Sequence, residues 1–154
     1  MKIYLDVCCL NRPFDDQTQE KIHLESEAVL IILSNIASQQ WELVGSDVID
    51  FEISKIPDME RRKKVELLAQ KILKKQPITT ELIQRAKIIS QKDIKALDAL
   101  HIASAEFLQS EYMITTDNDI VKKYQKHIEF FKKIKICNPI IFLARYYSYG
   151  NESG

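Results

Sequence analysis

Apolar and polar positions alternate between two kinds of pattern along the chain. A continuous apolar run stands at Ile3-Tyr4-Leu5, and short, mostly apolar stretches stand at Trp41 to Val44, Tyr112 to Thr115 and Ile134 to Cys137. Runs of that length predict strands buried on both faces. Between them, apolar residues recur every three or four positions, the period of a helix with one buried face. Ile22, Val29, Ile32, Leu33 and Ile36 predict a helix over 18–38, and Val65, Leu68 and Ile72 another from Asp58 to near Lys75. Ser46 reads as the N-cap of a helix reaching Ile56, which Pro57 ends. Further helices are expected at 80–90, at 93–108 with its small residues Ala96, Ala99, Ala103 and Ala105, at 120–126, and from Pro139 onward. Asn11 to Asp16 reads as a loop. Strands alternating with helices predict a parallel sheet covered on both faces, an α/β domain.

With 154 residues, no repeat and no linker, one domain over 1–150 is expected, followed by a disordered tail at 151–154. The longest unbroken apolar run, Ala28 to Leu33, is far short of a membrane span, which takes roughly 20 residues. Asp6 falls before any secretory apolar stretch could form, and the three cysteines suggest no disulfide framework, so a reduced, cytoplasmic protein without membrane contact is the expectation. Net charge is zero, which argues against a simple nucleic-acid-coating protein, but the charge is unevenly spread. Residues 1–54 carry 3 basic against 10 acidic side chains, and residues 55–95 carry 12 against 5. An acidic segment beside a basic one suits a site that gathers carboxylates next to a surface that attracts phosphates. Two solvated helix faces of opposite sign would give the same pattern.

Four acids stand where acids are costly. Asp6 and Asp117 each close an apolar strand, and in a parallel sheet the crevice beyond the strand ends is where ligands bind. Either would also serve as a helix cap. Glu52 has Val48, Ile49 and Ile56 on its helix face, and Asp98 has Ile94, Ile102 and Ala105. A buried carboxylate costs several kcal/mol unless it is paired or holds a metal. Four such acids favour a shared cation over four separate ion pairs. Hard oxygen donors without a Cys/His cluster select Mg²⁺ or Mn²⁺ over zinc. His101, three residues after Asp98, would orient that acid or fill the stripe.

The ordered set Ile3-Tyr4-Leu5-Asp6, Ser46-Asp47-Val48-Ile49-Asp50-Phe51-Glu52, Leu97-Asp98-Ala99-Leu100-His101-Ile102-Ala103 and Thr115-Thr116-Asp117 resembles the PIN-domain nucleases, including their VapC-like toxin branch. The resemblance runs from Met1 to near Cys137. It implies a three-layer α/β/α sandwich with a central parallel sheet, and metal-dependent cleavage of RNA. It makes Asp6, Glu52, Asp98 and Asp117 the catalytic, metal-binding acids, with Asp119 a supporting or substitute acid and Thr115 or Thr116 hydrogen-bonded to the cluster. Homodimers and, in the toxin branch, an antitoxin partner are also implied. One departure stands out: the family often places Ser, Thr or Asn two residues after the first Asp, where this chain has Cys8.

Phosphodiester hydrolysis of single-stranded RNA, with Arg61, Arg62, Lys63 and Lys64 guiding the backbone, follows as the expected activity. The competing expectation is a non-catalytic PIN-like module that binds RNA or protein. A phosphatase using Asp6 as nucleophile ranks third, because such enzymes want an acid where Cys8 stands.

Overall fold

The computed structural model describes residues 1–38 and 40–153. Five parallel strands form its sheet: β1 (Lys2–Leu5), β2 (Glu42–Ser46), β3 (Lys74–Gln76), β4 (Tyr112–Ile114) and β5 (Lys135–Cys137). Their spatial order is β3-β2-β1-β4-β5. Tyr4 stands opposite Val44 on one side and Met113 on the other, so β1 is the centre of the sheet. Chain progress reverses there. The first three strands step outward in one direction and the last two in the other, which opens a crevice at the carboxyl ends of β1 and β4.

Eight helices accompany the strands among the described residues: α1 (Val7–Asn11), α2 (Glu20–Ala37), α3 (Asp47–Ser54), α4 (Met59–Ala69), α5 (Thr80–Ser90), α6 (Ala96–Phe107), α7 (Asn118–Lys126) and α8 (Pro139–Ser153). Ile3, Tyr4 and Leu5 are all inaccessible although successive strand residues face opposite ways, so both faces of the sheet are covered. Helix α6 packs on β2, β3 and β4, with α5 against it; α2 and α8 pack on each other. Ala99, Ala103 and Ala105 are completely buried, and their small side chains let α6 approach closely. The expected α/β sandwich is the observed fold. No helix among the described residues is long and apolar enough to cross a membrane.

Three local expectations need correction. The predicted loop at 11–16 is partly helical: α1 precedes it, started by the Asp6 carboxylate on Val7 N–H, and a 3₁₀ turn spans Arg12–Phe14. The helix from Asp58 stops at Ala69, not near Lys75, and Lys74–Gln76 is an edge strand. Its polar Lys-Lys-Gln carries no buried-strand pattern because neither face is fully covered. Gly45 of β2 pairs with Lys75 of that edge, and a Cβ there would sit 2.7 Å from Ile72 Cδ1, so the Ile72 side chain would have to shift. Helix α6 begins at Ala96 because Asp93 is in the left-handed region (φ 62°) and cannot open a helix. Helix α8 runs to Ser153, and Gly154, the end of the expected 151–154 tail, lies outside the described residues.

Candidate metal centre at the strand ends

Asp6 follows β1 and is fixed by three hydrogen bonds, two of them to its carboxylate. Oδ1 accepts from Val7 N–H at 2.7 Å, and Oδ2 accepts from the Thr115 hydroxyl at 3.0 Å. The backbone N–H of Asp6 donates to Ile114 O at 3.0 Å, locking its position to β4. Thr115 thus joins the acid to the neighbouring strand end, and its Oγ1 also accepts from Asp117 N–H at 3.1 Å. Thr116 does not reach the acids through its hydroxyl; its backbone N–H donates to Cys8 Sγ at 3.4 Å. With the Thr115 proton committed to Asp6, the Cys8 thiol donates to Thr115 Oγ1 across 3.3 Å. Cys8 therefore makes the hydrogen bonds that a hydroxyl residue would make there, over longer distances.

Glu52 arrives from the other side of β1. Ser46 ends β2 and caps α3 by accepting from Ile49 N–H at 3.1 Å, so Glu52 lies two turns into a helix that starts at the same sheet edge. Its partner is His101 of α6, whose Nε2 donates to the Glu52 carboxylate. The same nitrogen lies 3.8 Å from Asp6 Oδ1. Carboxylate oxygens of Asp6 and Glu52 and a ring nitrogen of His101 fall within 4.8 Å of one another; with Nε2 engaged as donor to Glu52, the two carboxylates are the groups of this trio placed to hold a metal ion. His101 was expected to orient Asp98 or fill the stripe; it pairs with Glu52 instead.

Behind His101 stands a polar chain inside the core. Tyr4 Oη is 2.6 Å from His101 Nδ1 and 2.6 Å from Ser46 Oγ, and all three side chains are fully buried. Burial pushes the Tyr4 phenol well above its ordinary pKa, so it stays protonated. Glu52 accepts only, hence Nε2 of His101 carries a proton. With a neutral ring, Ser46 donates to Tyr4 and Tyr4 donates to Nδ1; with a charged ring, Nδ1 donates to Tyr4 and Tyr4 donates to Ser46. Burial pulls the His101 pKa down, but the Glu52 hydrogen bond and the charges of Asp6, Glu52 and Asp98 outweigh it and raise it. Tyr4 and Ser46 were missed as site residues because each already had an ordinary role, strand core and helix cap.

Asp98 and Asp117 are half-buried and lie outside the tight group, yet their charges reach it. Burial pushes the Asp98 carboxyl up, and the negative charges of Asp6 and Asp117 push it further, to about 6. Asp117 is the N-cap of α7, accepting from Asp119 N–H at 2.9 Å, so the capping alternative is real for this residue. Asp119 itself is exposed and paired with Lys123 at 2.9 Å; it is not brought to the cluster. In the basic stretch, Arg61 donates to Asp15 Oδ1 at 2.8 Å and to Phe14 O at 2.6 Å, tying α4 to the 3₁₀ turn. Arg62 donates to Ile56 O at 3.2 Å. Lys63 and Lys64 stand exposed, the latter beside the Phe14 ring.

The donor chemistry fits a hard divalent cation. Carboxylate oxygens from β1 and α3 converge, and a third acid is raised in pKa by its like-charged neighbours, the repulsion that a cation relieves. Two of the three softer thiols do not compete: Cys9 and Cys137 are buried, with burial raising Cys9 well above its ordinary pKa and Cys137 to about 11.

A parallel sheet reversing at β1, with acids delivered to that reversal by two strands and two helices, defines an α/β protein with a carboxylate-lined crevice. The PIN domain family model matches residues 3–126, and the chain belongs to that family. Among solved structures, FitAcB from Neisseria gonorrhoeae is similar at 15% identity and a TM-score of 0.54, over 89% of this chain and 97% of that one. VapBC2 from Rickettsia felis, bound to a DNA fragment from its promoter, is similar at 10% identity and a TM-score of 0.54, over 90% and 98%. No curated protein matches the sequence.

Proposed function

We propose that the protein is a metal-dependent endoribonuclease cutting single-stranded RNA at the Asp6–Glu52–Asp98–Asp117 crevice, in the manner of a VapC-like toxin. One observation carries the reading: Asp6 and Glu52, 46 positions apart and on different elements, place carboxylate oxygens within 4.8 Å of each other beside two further acids. Evolution of a stable core alone gives no reason to gather like charges this way.

Mg²⁺ or Mn²⁺ held by Asp6 and Glu52, with Asp98 and Asp117 completing the oxygen set, would neutralise the phosphoryl oxygens and activate the attacking water. The chain does the rest. Thr115 and Val7 N–H fix both Asp6 oxygens, so that acid cannot rotate away. His101 holds Glu52 in the crevice, and the Tyr4–Ser46 pair holds His101. Burial and the charges of Asp6 and Asp117 push the Asp98 carboxyl up to about 6 in the metal-free crevice, a repulsion that the bound cation would relieve. Lys63 and Lys64 supply exposed positive charge for the RNA backbone. An antitoxin and a second copy of the chain are the protein partners this reading entails.

The test is incubation of the purified chain with Mn²⁺ and an unstructured labelled RNA. Cleavage that chelation stops, and that Asp6→Ala and Asp98→Ala abolish while RNA binding persists, is the expected result. A folded chain that cuts nothing under these conditions refutes the catalytic reading. The binding of Glu52 by His101 favours one alternative, a PIN-like module that binds without cutting, since a charged imidazole is itself a counter-ion for the acids. That module would lose little of either property on Asp98→Ala.

A further inference from the structure

A cavity of about 790 Å³ opens at the amino ends of β4 and β5. Ser110 and Glu111 lead into β4, and Lys132 and Lys133 lead toward β5. Asp6, Thr115 and Asp117 lie beyond the carboxyl ends of β1 and β4, so the cavity is at the opposite end of the sheet from the acid crevice. Ser110 is 1% exposed, and its hydroxyl is the one buried side-chain polar atom without a hydrogen-bond partner among the described residues. A buried hydroxyl left this way is destabilising, and a polar atom of an occupant would satisfy it. In the same lining, Arg85 is matched by Glu106 through two hydrogen bonds of 2.9 Å. Lys132 and Lys133 are exposed and have no carboxylate partner among the described residues, and the remaining acid, Glu111, is exposed as well. Lys92 adds positive charge nearby, 4.9 Å from the centroid of the Phe130 ring that lines the wall. Phe107, exposed by 40%, is the second aromatic wall.

We propose that this cavity is a second ligand site, which binds a nucleotide. Its volume falls in the range of small-molecule sites, roughly 300–1,000 Å³, and is more than a bare phosphate ion fills. The lining offers a nucleotide one feature for each of its parts. Lys132 and Lys133 supply point charges for the phosphate, and Arg85 has already neutralised Glu106, the buried acid beside them. The open Phe107 ring gives a π-face on which a base can stack. The Ser110 hydroxyl supplies the single placed polar contact that fixes orientation in a largely apolar pocket. Inorganic phosphate would use the lysines alone, and an uncharged nucleoside would leave them unmatched. The nucleotide could be free or could belong to an RNA strand; the chemistry recognised is the same. The site is separate from the crevice, so the proposal does not depend on catalysis.

The test is calorimetric titration of the full chain with AMP, adenosine and inorganic phosphate, in EDTA so that the crevice holds no metal. AMP should bind with a Kd of about 100 μM, and adenosine and phosphate about tenfold or more weaker. Lys132→Glu with Lys133→Glu, both at exposed positions, should weaken AMP about tenfold or more with the circular dichroism unchanged. Ser110→Ala should weaken AMP by severalfold while the Tm holds or rises, because the hydroxyl it removes has no partner in the protein. A merely structural serine would show the reverse, a lowered Tm with AMP binding intact. A 5′-phosphorylated oligoadenylate distinguishes the two sources: competition with AMP assigns the site to an RNA strand, and indifference assigns it to a free nucleotide. No binding of AMP, equal binding of AMP and adenosine, indifference to the Lys132/Lys133 pair, or loss of AMP binding in Asp6→Ala each overturns the proposal. RNA cleavage by the unsubstituted chain in Mn²⁺ is a separate measurement, so failure of this site and failure of the nuclease reading are told apart.

Discussion

His101 of α6 hydrogen-bonds Glu52 of α3 through Nε2, and the other face of the same imidazole is closed by Tyr4. A residue from the middle of the central strand therefore governs how an acid at the sheet edge is presented. Removing the phenol tests that coupling. Tyr4→Phe leaves His101 Nδ1 and Ser46 Oγ buried without this partner, at a cost of about 1–3 kcal/mol. A lowered Tm in thermal unfolding should accompany weaker Mn²⁺ affinity, while a repacked hydrophobic substitute far from the site would shift only the Tm.

Asp98 makes the stability of the metal-free chain depend on pH with a definite sign. Its folded pKa of about 6 lies above the unfolded value of 3.8. Between these values the folded state binds more protons, so stability is greatest below about pH 4 from this group and falls as pH rises to about 6. Asp98→Asn should flatten that part of the profile and stabilise the chain at pH 7.5 by about 1 kcal/mol, a figure reduced for the partial exposure of the carboxyl. Denaturant titrations at pH 4.5 and 7.5 measure it; a profile unchanged by the substitution contradicts the crowding of acids.

Thr115 ties the two strand ends together at Asp6. Thr115→Val keeps the shape and removes the donor, which frees one Asp6 oxygen and leaves the Asp117 N–H and the Cys8 thiol without their acceptor. The expected outcome is a loss of RNA cleavage of about tenfold or more with the fold retained, read by single-turnover kinetics and circular dichroism. Cys8→Ser should do the reverse: a shorter, stronger hydrogen bond to Thr115 and activity equal to or above that of the unsubstituted chain.

The acid on α2 should behave differently from those in the crevice. Glu25 is wholly buried and neutralised by Arg12. Arg12→Met breaks the pair and leaves a buried charge, which costs about 3–5 kcal/mol. Equilibrium unfolding should register that loss without a change in Mn²⁺ affinity.

Glu25 also shows what the sequence disclosed and what it hid. Like Glu52 and Asp98 it lies on an apolar helix face, with Ile22, Ala28, Val29 and Ile32 around it, yet its cation comes from the turn after α1. Glu106 likewise meets Arg85, 21 residues away. Burial of an acid is legible from helical period; whether its partner is an arginine or other acids depends on tertiary neighbours. The buried strands at 3–5 and 112–114 and the Ser46 and Asp58 caps were legible because they rest on local pattern. Strand β3 was not, because an exposed edge of Lys-Lys-Gln is defined by what β2 offers it, and the turn from Glu52 to His101 is a contact between helices 49 positions apart.

Diffraction from crystals soaked in Mn²⁺, recorded at a wavelength where manganese scatters anomalously, tests the central claim most directly. The account predicts an anomalous peak between the Asp6 and Glu52 carboxylates, bordered by Asp98 and Asp117, and its disappearance in Asp6→Asn. An intact Glu52–His101 pair with no peak in the crevice at saturating Mn²⁺ would contradict it.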